Sequence, residues 1–342
     1  MAQHNLELKQ RWQQLVNDNP RTRIRDAAEI LDVSEMELLA TDMPQKVLML
    51  EGDFKALMQR LTKVGKIMSL VRNDVAVHEL SGIYPTLQYS GDPQVGVAME
   101  AIDLCIHFNE YRYAFAVRSP QGKHELRSIQ TSDKCGQALQ TIYLKNRDHV
   151  FLWDEIVEHF TAQQQKPTFD LGSAEPVSRS FVDIDLTKLK QEWQQMQHAQ
   201  DLSEIIKRLG ISQHEAVSFI GQPYNRKVEI QAINQLIEQI KEQAIACSVL
   251  VRNKGVTQIY SGRFHKTAAM GAWMNVLDPN FNLHILTSAV EDVWVVKKPT
   301  QQGLLTSLEA YDKKGRISLE ITPINTSEKQ DLTEWHQVLE KL

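Results

Sequence analysis

The hydrophobic positions of the chain follow a helical period first and an alternating period afterwards, and this order occurs twice. In the first half, apolar residues three or four positions apart predict helices over 6–18, 23–31, 34–40 and 51–63. After Gly65 the pattern alternates and predicts strands, separated by turns at 119–122 and 134–136, over 67–72, 75–80, 100–108, 112–118, 124–131 and 137–144. Helices followed by antiparallel strands indicate an α+β fold with helices packed on one face of each sheet.

The second half repeats these elements at a spacing of about 180 residues. Trp12 matches Trp193, and the triplet VRN occurs at 71–73 and again at 251–253. The predicted helices are 188–197, 202–209, 212–220 and 229–243, and the predicted strands are 247–252, 256–260, 283–287, 293–297, 304–310 and 316–321. Amphipathic helices beginning near Trp153 and Trp335 close the two copies, so we expect a tandem duplication with no other domain attached.

The repeat divides the chain into an N-terminal copy, 1–160, a linker, 161–183, and a C-terminal copy, 184–342. The linker is rich in Gln, Pro, Ser and Gly and has no periodicity. Two local signals predict helix starts in the first copy. Asn19-Pro20 resembles an N-cap followed by a first helical residue, and Ser34 with Glu37 has the spacing of a capping box.

Composition narrows the function classes. The 342 residues include 38 basic and 43 acidic side chains, a net charge of -5, which argues against a nucleic-acid partner. We find no apolar run long enough to span a bilayer and no signal peptide, so we expect a cytoplasmic protein. Three widely spaced cysteines fit no disulfide framework or zinc site, and P-loop, GxGxxG and GxSxG motifs do not occur.

Five stretches resemble one known family. They are RNDVAVHE (72–79), AIDLCIHFNEY (101–111), QEWQQM (191–196), GAWMNVLDPNFNLHI (271–285) and VWVVKKPTQQGLLTSLEAYDKKG (293–315). In order and spacing they resemble the HemS/ChuS/PhuS group of bacterial cytoplasmic haem-handling proteins, over essentially the whole chain. The resemblance implies a tandem repeat of helices on large antiparallel sheets and a haem (iron protoporphyrin IX) cleft in the C-terminal half. It also implies haem supply through an ABC transporter, and either ring cleavage with a reductase and oxygen or transfer to a haem oxygenase.

The resemblance places the proximal histidine of the family at Gln200 of this chain, and His198 lies two residues earlier. In one continuous helix, residues 198 and 200 would point in directions about 200° apart. We interpret 197–201 as a non-helical connector, by analogy with Asn17 to Pro20 in the first copy, and a connector can present a ligand from a shifted position. His198 is therefore either a haem-iron ligand or a solvated connector residue.

The family's distal arginine corresponds to Cys105 here. His107 is on the same side of the predicted strand, and either side chain could approach the iron. His107 could equally be a half-buried strand histidine, and thiolate ligation by Cys105 would require a lowered thiol pKa. His78 matches a family position considered a second haem contact, or it is a structural strand histidine. His284 corresponds by the repeat to Cys105, which favours a structural role.

Haem also needs cations for its propionates and apolar walls for its ring. Lys297 and Lys298 match a basic pair of the family, with Arg252 and Arg263 as further candidates, although such a pair at a strand end is often solvated. Aromatic and methionine side chains could form the walls or belong to the core: Phe264, Met270, Trp273 and Phe281.

Three hypotheses follow. The leading one is a cytoplasmic haem-binding protein of haem uptake and iron utilisation that accepts imported haem and passes it on or degrades it. The second is a true haem-degrading monooxygenase. The third is a diverged family member that has lost haem binding and binds another ligand or protein, because both usual haem-contacting positions are substituted.

Overall fold

The computed structural model describes residues 2–20, 22–89, 91–122, 124–166, 169–172, 184–324 and 329–342. The chain divides into two compact units. The first unit contains Met1–Val71, Leu80–Glu175 and Asn253–Thr257, and the second contains Arg72–Glu79, Pro176–Arg252 and Gln258–Leu342. Of the predicted linker, residues 167–168 and 173–183 lie outside the described residues.

In the first half of the chain the helices precede the strands and a fifth helix closes the copy, as predicted, except that one short strand separates the third helix from the fourth. Its helices are α1 Ala2–Asp18, α2 Ile24–Leu31, α3 Glu35–Ala40, α4 Phe54–Leu61 and, at the end of the copy, α5 Val150–Phe160. Its strands are β1 Val47–Leu50, β2 Lys66–Arg72, β3 Ala76–Ile83, β4 Gln88–Tyr89, β5 Val95–Ala98, β6 Asp103–His107, β7 Tyr113–Gln121, β8 His124–Ser132 and β9 Ala138–Leu144.

The second half repeats these elements one for one. Its helices are α6 Leu186–Gln194, α7 Asp201–Leu209, α8 Gln213–Ile220, α9 Ala232–Glu242 and α10 Lys329–Glu340. Its strands are β10 Asn225–Val228, β11 Cys247–Arg252, β12 Val256–Gly262, β13 Thr267–Met270, β14 Trp273–Leu277, β15 Phe281–Leu286, β16 Val290–Thr300, β17 Gly303–Asp312 and β18 Ile317–Pro323.

Sheet topology is repeated as well, which confirms the α+β prediction. In the first unit neighbouring strands follow the order β1-β7-β8-β9-β2, and in the second β10-β16-β17-β18-β11. Each copy also has a three-stranded antiparallel run, β4-β5-β6 or β13-β14-β15. The registers agree, because Arg118 pairs with Arg127 in one copy and Lys297 pairs with Thr306 in the other.

Helix ends show the same duplication in atomic detail. The predicted capping box at Ser34 and Glu37 is formed, and Ser212 and Glu215 form a second one at the start of α8. Helix α7 is capped at its C-terminus by Gly210, whose φ of 66° belongs to the left-handed region that glycine enters without a Cβ penalty. None of the described helices is both long and apolar enough to cross a bilayer.

The structure corrects several predicted boundaries. Helix α2 begins at Ile24 after Arg23, so Asn19-Pro20 does not start it. The strand predicted over 100–108 is limited to Asp103–His107 and runs into a 3-10 turn. Six short strands were not predicted, because two to five residues are too few to show a period: β1, β4, β5, β10, β13 and β14.

Candidate functional site

The connector between α6 and α7 carries the candidate axial ligand. Helix α6 turns Leu189 and Trp193 into the core, and the Trp193 indole Nε1 donates to the backbone oxygen of Lys297 at 3.1 Å. The helix ends at Gln194, and residues 195–200 are non-helical. The prediction of a connector is confirmed, although Asp201 at its end already belongs to α7.

Hydrogen bonds on both sides fix the connector. The Asp201 carboxylate accepts from the backbone nitrogens of Gln197 at 2.8 Å and His198 at 2.9 Å. These two bonds, with that from Gln197 the larger effect, lower the pKa of Asp201. The Gln197 oxygen also accepts from the nitrogen of Gln301, at 2.9 Å, in the turn between β16 and β17. The backbone of His198 is thus held while its side chain remains exposed.

Gln200 has a different position from His198. It is the N-cap residue of α7, has helical φ and ψ of −67° and −23°, and is exposed without a side-chain capping bond. Both side chains are open to solvent. The imidazole of His198 is therefore accessible as a candidate metal ligand on a short, anchored connector.

An apolar cluster lies beneath the connector. It joins the three helices to strands β16 and β17 and consists of Leu189, Trp193, Met196, Leu202, Ile205, Ile211, Ala216, Val217, Ile220, Val296 and Tyr311. This packing gives the connector a rigid support of helices on a sheet face.

The sheet separates the predicted basic pair. Lys297 and Lys298 are adjacent on β16, and adjacent strand residues point to opposite faces. Lys298 shares its face with Val296, which belongs to the apolar cluster beneath the connector. Lys297 lies on the other face, where it lines a cavity with His336 of α10. The two ammonium groups therefore point to opposite faces of the sheet, and their role as partners of the propionates stays a prediction.

Lys298 belongs to a buried network of four charges. Its ammonium pairs with Glu309 at 2.5 Å and Glu320 at 3.0 Å, and Glu320 also pairs with Arg252. The Tyr311 hydroxyl donates to Glu309. Lys298 and both carboxylates are buried, so neither Lys298 nor Arg252 offers a free cation to propionates while these pairs persist.

Charge pairing dominates the titration of this network. Burial alone would raise the pKa of Glu320, but Lys298 and Arg252 outweigh it and lower that pKa to about 2. Burial would lower the pKa of Lys298, yet the two carboxylates raise it. The lowered pKa of Glu320 and the raised pKa of Lys298 keep these two groups charged at neutral pH. Glu309 and Glu320 were not identified from the sequence as site residues.

His78 lies in the interior of the second unit. Its imidazole is fully buried, its ring is 5.1 Å from that of Phe281, and its Nδ1 accepts from the Gln258 amide at 2.9 Å. Burial lowers the pKa of His78 to about 3, so the ring is neutral. This position supports the structural interpretation of His78 and not a haem contact.

Cys105 and His107 lie in the first unit, on the half-buried face of β6. The Cys105 sulfur is 3.9 Å from His107 Nε2, which confirms that both side chains point to one side. Asp103 shares this face, and burial raises its pKa to about 6. Thiolate ligation by Cys105 stays a prediction.

The proposed apolar wall is divided between core and surface. Phe264 and Phe281 are buried and stack with Tyr260, whose ring is 3.7 Å from that of Phe281. Met270 is exposed and Trp273 half-buried. Arg263 donates a hydrogen bond to the backbone oxygen of Ala244. The Nδ1 atom of His284 lies 2.7 Å from the amide oxygen of Asn275. No metal cluster occurs in the part of the chain that the structure describes.

These features define a class of protein: a duplicated α+β chain with an exposed histidine on an anchored connector above a packed helix–sheet core. The model of the haemin-degrading HemS.ChuX domain matches residues 32–160 and again residues 210–342. Because the two matches cover most of the chain, the protein belongs to this family.

Relatives match along nearly their whole length. The hemin transport protein HmuS of Yersinia pestis is 26% identical over 99% of this chain and 98% of its own. Holo-PhuS, a heme-binding protein from Pseudomonas aeruginosa, is 30% identical with a TM-score of 0.93, and each chain is covered to 99%. The heme degrading enzyme ChuS of Escherichia coli O157:H7 is 26% identical with a TM-score of 0.90 at the same coverage.

Proposed function

We propose that this protein binds haem with its C-terminal copy, the main haem cleft, and serves haem uptake and iron utilisation. Family membership and the full-length similarity to a hemin transport protein and a heme-binding protein support this role. In this role the protein acts in the cytoplasm, accepts haem delivered by an ABC transporter, and passes it to a haem oxygenase.

We further propose His198 as the proximal ligand of the haem iron. The observation that carries this assignment is an exposed imidazole on a connector fixed by Asp201 and Gln301. Neutral imidazole is the common axial donor for haem, and a fixed backbone reduces the entropy lost on binding. Gln200 offers only an amide, a poor iron ligand.

The residues present fit an axial ligand better than they fit the propionates. Lys298 and Arg252 are committed to carboxylates, and Lys297 points to the opposite sheet face. We infer that the propionates remain near solvent unless haem binding breaks the network. His107, with Cys105 beside it, is retained as the alternative or distal candidate from the first unit.

Ring cleavage is the second candidate function, since ChuS, 26% identical to this chain, is a heme degrading enzyme. Bound haem supplies the oxygen chemistry, while the protein supplies the axial ligand and distal hydrogen bonds. A thiol at Cys105 is a weak donor compared with an arginine. We therefore propose binding and transfer as the main role, with slow cleavage when a reductase supplies electrons.

A haem titration followed by absorbance tests the proposal. We expect saturable one-to-one binding in wild type, its loss in His198→Ala and its retention in His107→Ala. His124, an exposed residue of β8 in the first unit, provides the matched control His124→Ala. The absence of a saturable Soret band in wild type would overturn haem binding, and a normal band in His198→Ala would overturn the assignment of the ligand.

A rescue variant separates ligation from folding. In the double variant His198→Ala with Gln200→His, the imidazole moves to the position that the resemblance assigns to the family ligand. Recovery of the Soret band would show that His198→Ala failed for want of a donor. Ascorbate and oxygen added to the wild-type complex then report cleavage as loss of the Soret band with formation of a linear tetrapyrrole.

A further inference from the structure

The second unit contains a cavity of about 330 Å³ between α10 and strands β10, β16 and β17. Its polar lining includes Arg226, Lys297, Thr306, His336 and Glu340, and its apolar lining includes Leu304 and Leu339. The volume is at the lower end of the range for ligand pockets, which suits a small molecule and not a whole macrocycle.

Strand register assigns the cavity to one sheet face. Arg226 lies opposite Val295, and Lys297 lies opposite Thr306, so these side chains point the same way. Trp294 and Val296, on the other face, pack against the helices that flank His198. The cavity is therefore separated from the proposed haem ligand by the sheet.

The lining of the cavity favours a negative ligand. Arg226 is oriented by a bond to the backbone oxygen of Leu339 at 2.6 Å, and Lys297 stands nearby on the next strand. Glu340 is the acidic residue of the lining, and it is exposed on the last turn of α10. A guanidinium with a fixed orientation and an ammonium are the usual partners of carboxylate and phosphate.

The first copy fills the same positions with its own charges. Arg118 and Arg127 form the cross-strand pair that corresponds to Lys297 and Thr306, and both pair with Asp154 of α5. Asp154 follows Trp153 as His336 follows Trp335, so His336 occupies the position of Asp154. In the second copy, Thr306 therefore replaces Arg127 and the imidazole of His336 replaces the carboxylate of Asp154. Lys297 has therefore lost the carboxylate that balances its counterpart.

We propose that this cavity binds a small organic anion whose carboxylate or phosphate group contacts Lys297 and Arg226 while its apolar part packs on Leu304 and Leu339. The site is additional to the haem site and does not depend on it. It gives the C-terminal copy a second ligand, at the position where the N-terminal copy has the ion pairs of Arg118 and Arg127 with Asp154.

Calorimetric titration of the haem-free chain with citrate, and separately with inorganic phosphate, tests the proposal at constant ionic strength set with chloride. We expect saturable one-to-one binding of at least one probe. Lys297→Gln should weaken it at least about tenfold, because a charge-assisted hydrogen bond is lost. Lys227→Gln removes the same charge from the neighbouring strand, where Lys227 pairs with Asp292, and should leave binding unchanged.

A second variant closes the cavity without removing Lys297. Thr306→Arg with His336→Asp reproduces the first-copy arrangement and should abolish binding in a protein whose circular dichroism is that of wild type. Binding of citrate alone would assign a carboxylate ligand, and binding of phosphate alone a phosphate ligand. The proposal is overturned if neither probe binds saturably, or if Lys227→Gln weakens binding as much as Lys297→Gln. No haem is present, so this result is distinct from any failure of haem binding.

Discussion

Replacing Lys298 with methionine should destabilise the second unit far more than an ordinary surface substitution. The Lys298 side chain is 4% exposed, and its ammonium contacts Glu309 and Glu320. Its removal leaves two buried carboxylates facing one guanidinium, that of Arg252. Breaking a buried ion pair from one side costs about 3–5 kcal/mol, and we expect a loss in this range in the free energy of unfolding at pH 7.

The same substitution should change the pH dependence of stability. In the folded chain the pKa of Glu320 is about 2, below its usual value of 4.5. The stabilisation of the folded state by ionised Glu320 is therefore complete above pH 4.5 and is lost as the pH falls towards 2. The shift corresponds to roughly 3 kcal/mol. Without Lys298 the pKa of Glu320 rises, so the difference between variant and wild type should narrow as the solution is acidified.

Urea unfolding followed by tryptophan fluorescence measures both effects, because Trp193 and Trp294 lie in the adjoining cluster. Lys227→Met is the matched control, since the Lys227 side chain is 57% exposed and its pair with Asp292 should contribute at most about 1 kcal/mol. A loss below about 1 kcal/mol in Lys298→Met, or one equal to that of the control, would refute the network's role in stability.

Two further predictions concern single side chains. In wild type, the free energy of unfolding should fall by about 2 kcal/mol between pH 6.5 and 4.5, because only the unfolded chain protonates His78 in that range. His78→Gln, which introduces the residue found at the equivalent position 258, should remove this fall, and an unchanged pH dependence in urea unfolding would contradict the assignment. Ser212→Ala should cost about 1 kcal/mol by removing the capping box of α8, with Ser203→Ala as the control in α7, and equal thermal midpoints for these two variants would contradict the assigned cap.

Much of the fold could be predicted because its elements are periodic and occur twice. Strand β11 has the predicted bounds, and its residues alternate between buried and half-buried. Strand β10, with the sequence NRKV, has no such period and is defined by its pairing with β16. Short edge strands of this kind depend on a neighbour that is distant in the chain, so local pattern cannot reveal them.

The candidate site was less predictable. Alternation along β16 was sufficient to assign Lys297 and Lys298 to opposite faces, a signal that the basic-pair interpretation overlooked. The carboxylates that hold Lys298 could not be found in this way. Glu309 and Glu320 become neighbours only through the register of β17 and β18, which is a long-range property. The connector of His198 was predictable, but its anchoring by Asp201 depends on side-chain geometry.

Comparison of the two copies explains why similar backbones should hold different ligands. The positions of Lys298, Glu309 and Glu320 correspond in the first copy to Ser119, Gln130 and Thr141, since the registers agree. On the opposite face the situation is reversed, because the first copy has Arg118, Arg127 and Asp154 where the second has an open cavity. Each copy thus concentrates its ion pairs on a different sheet face. A cation that is paired with a carboxylate is not available to a ligand. Among the described residues of the second copy, the cavity face carries Lys297 without such a pair, so an anion should bind on that face.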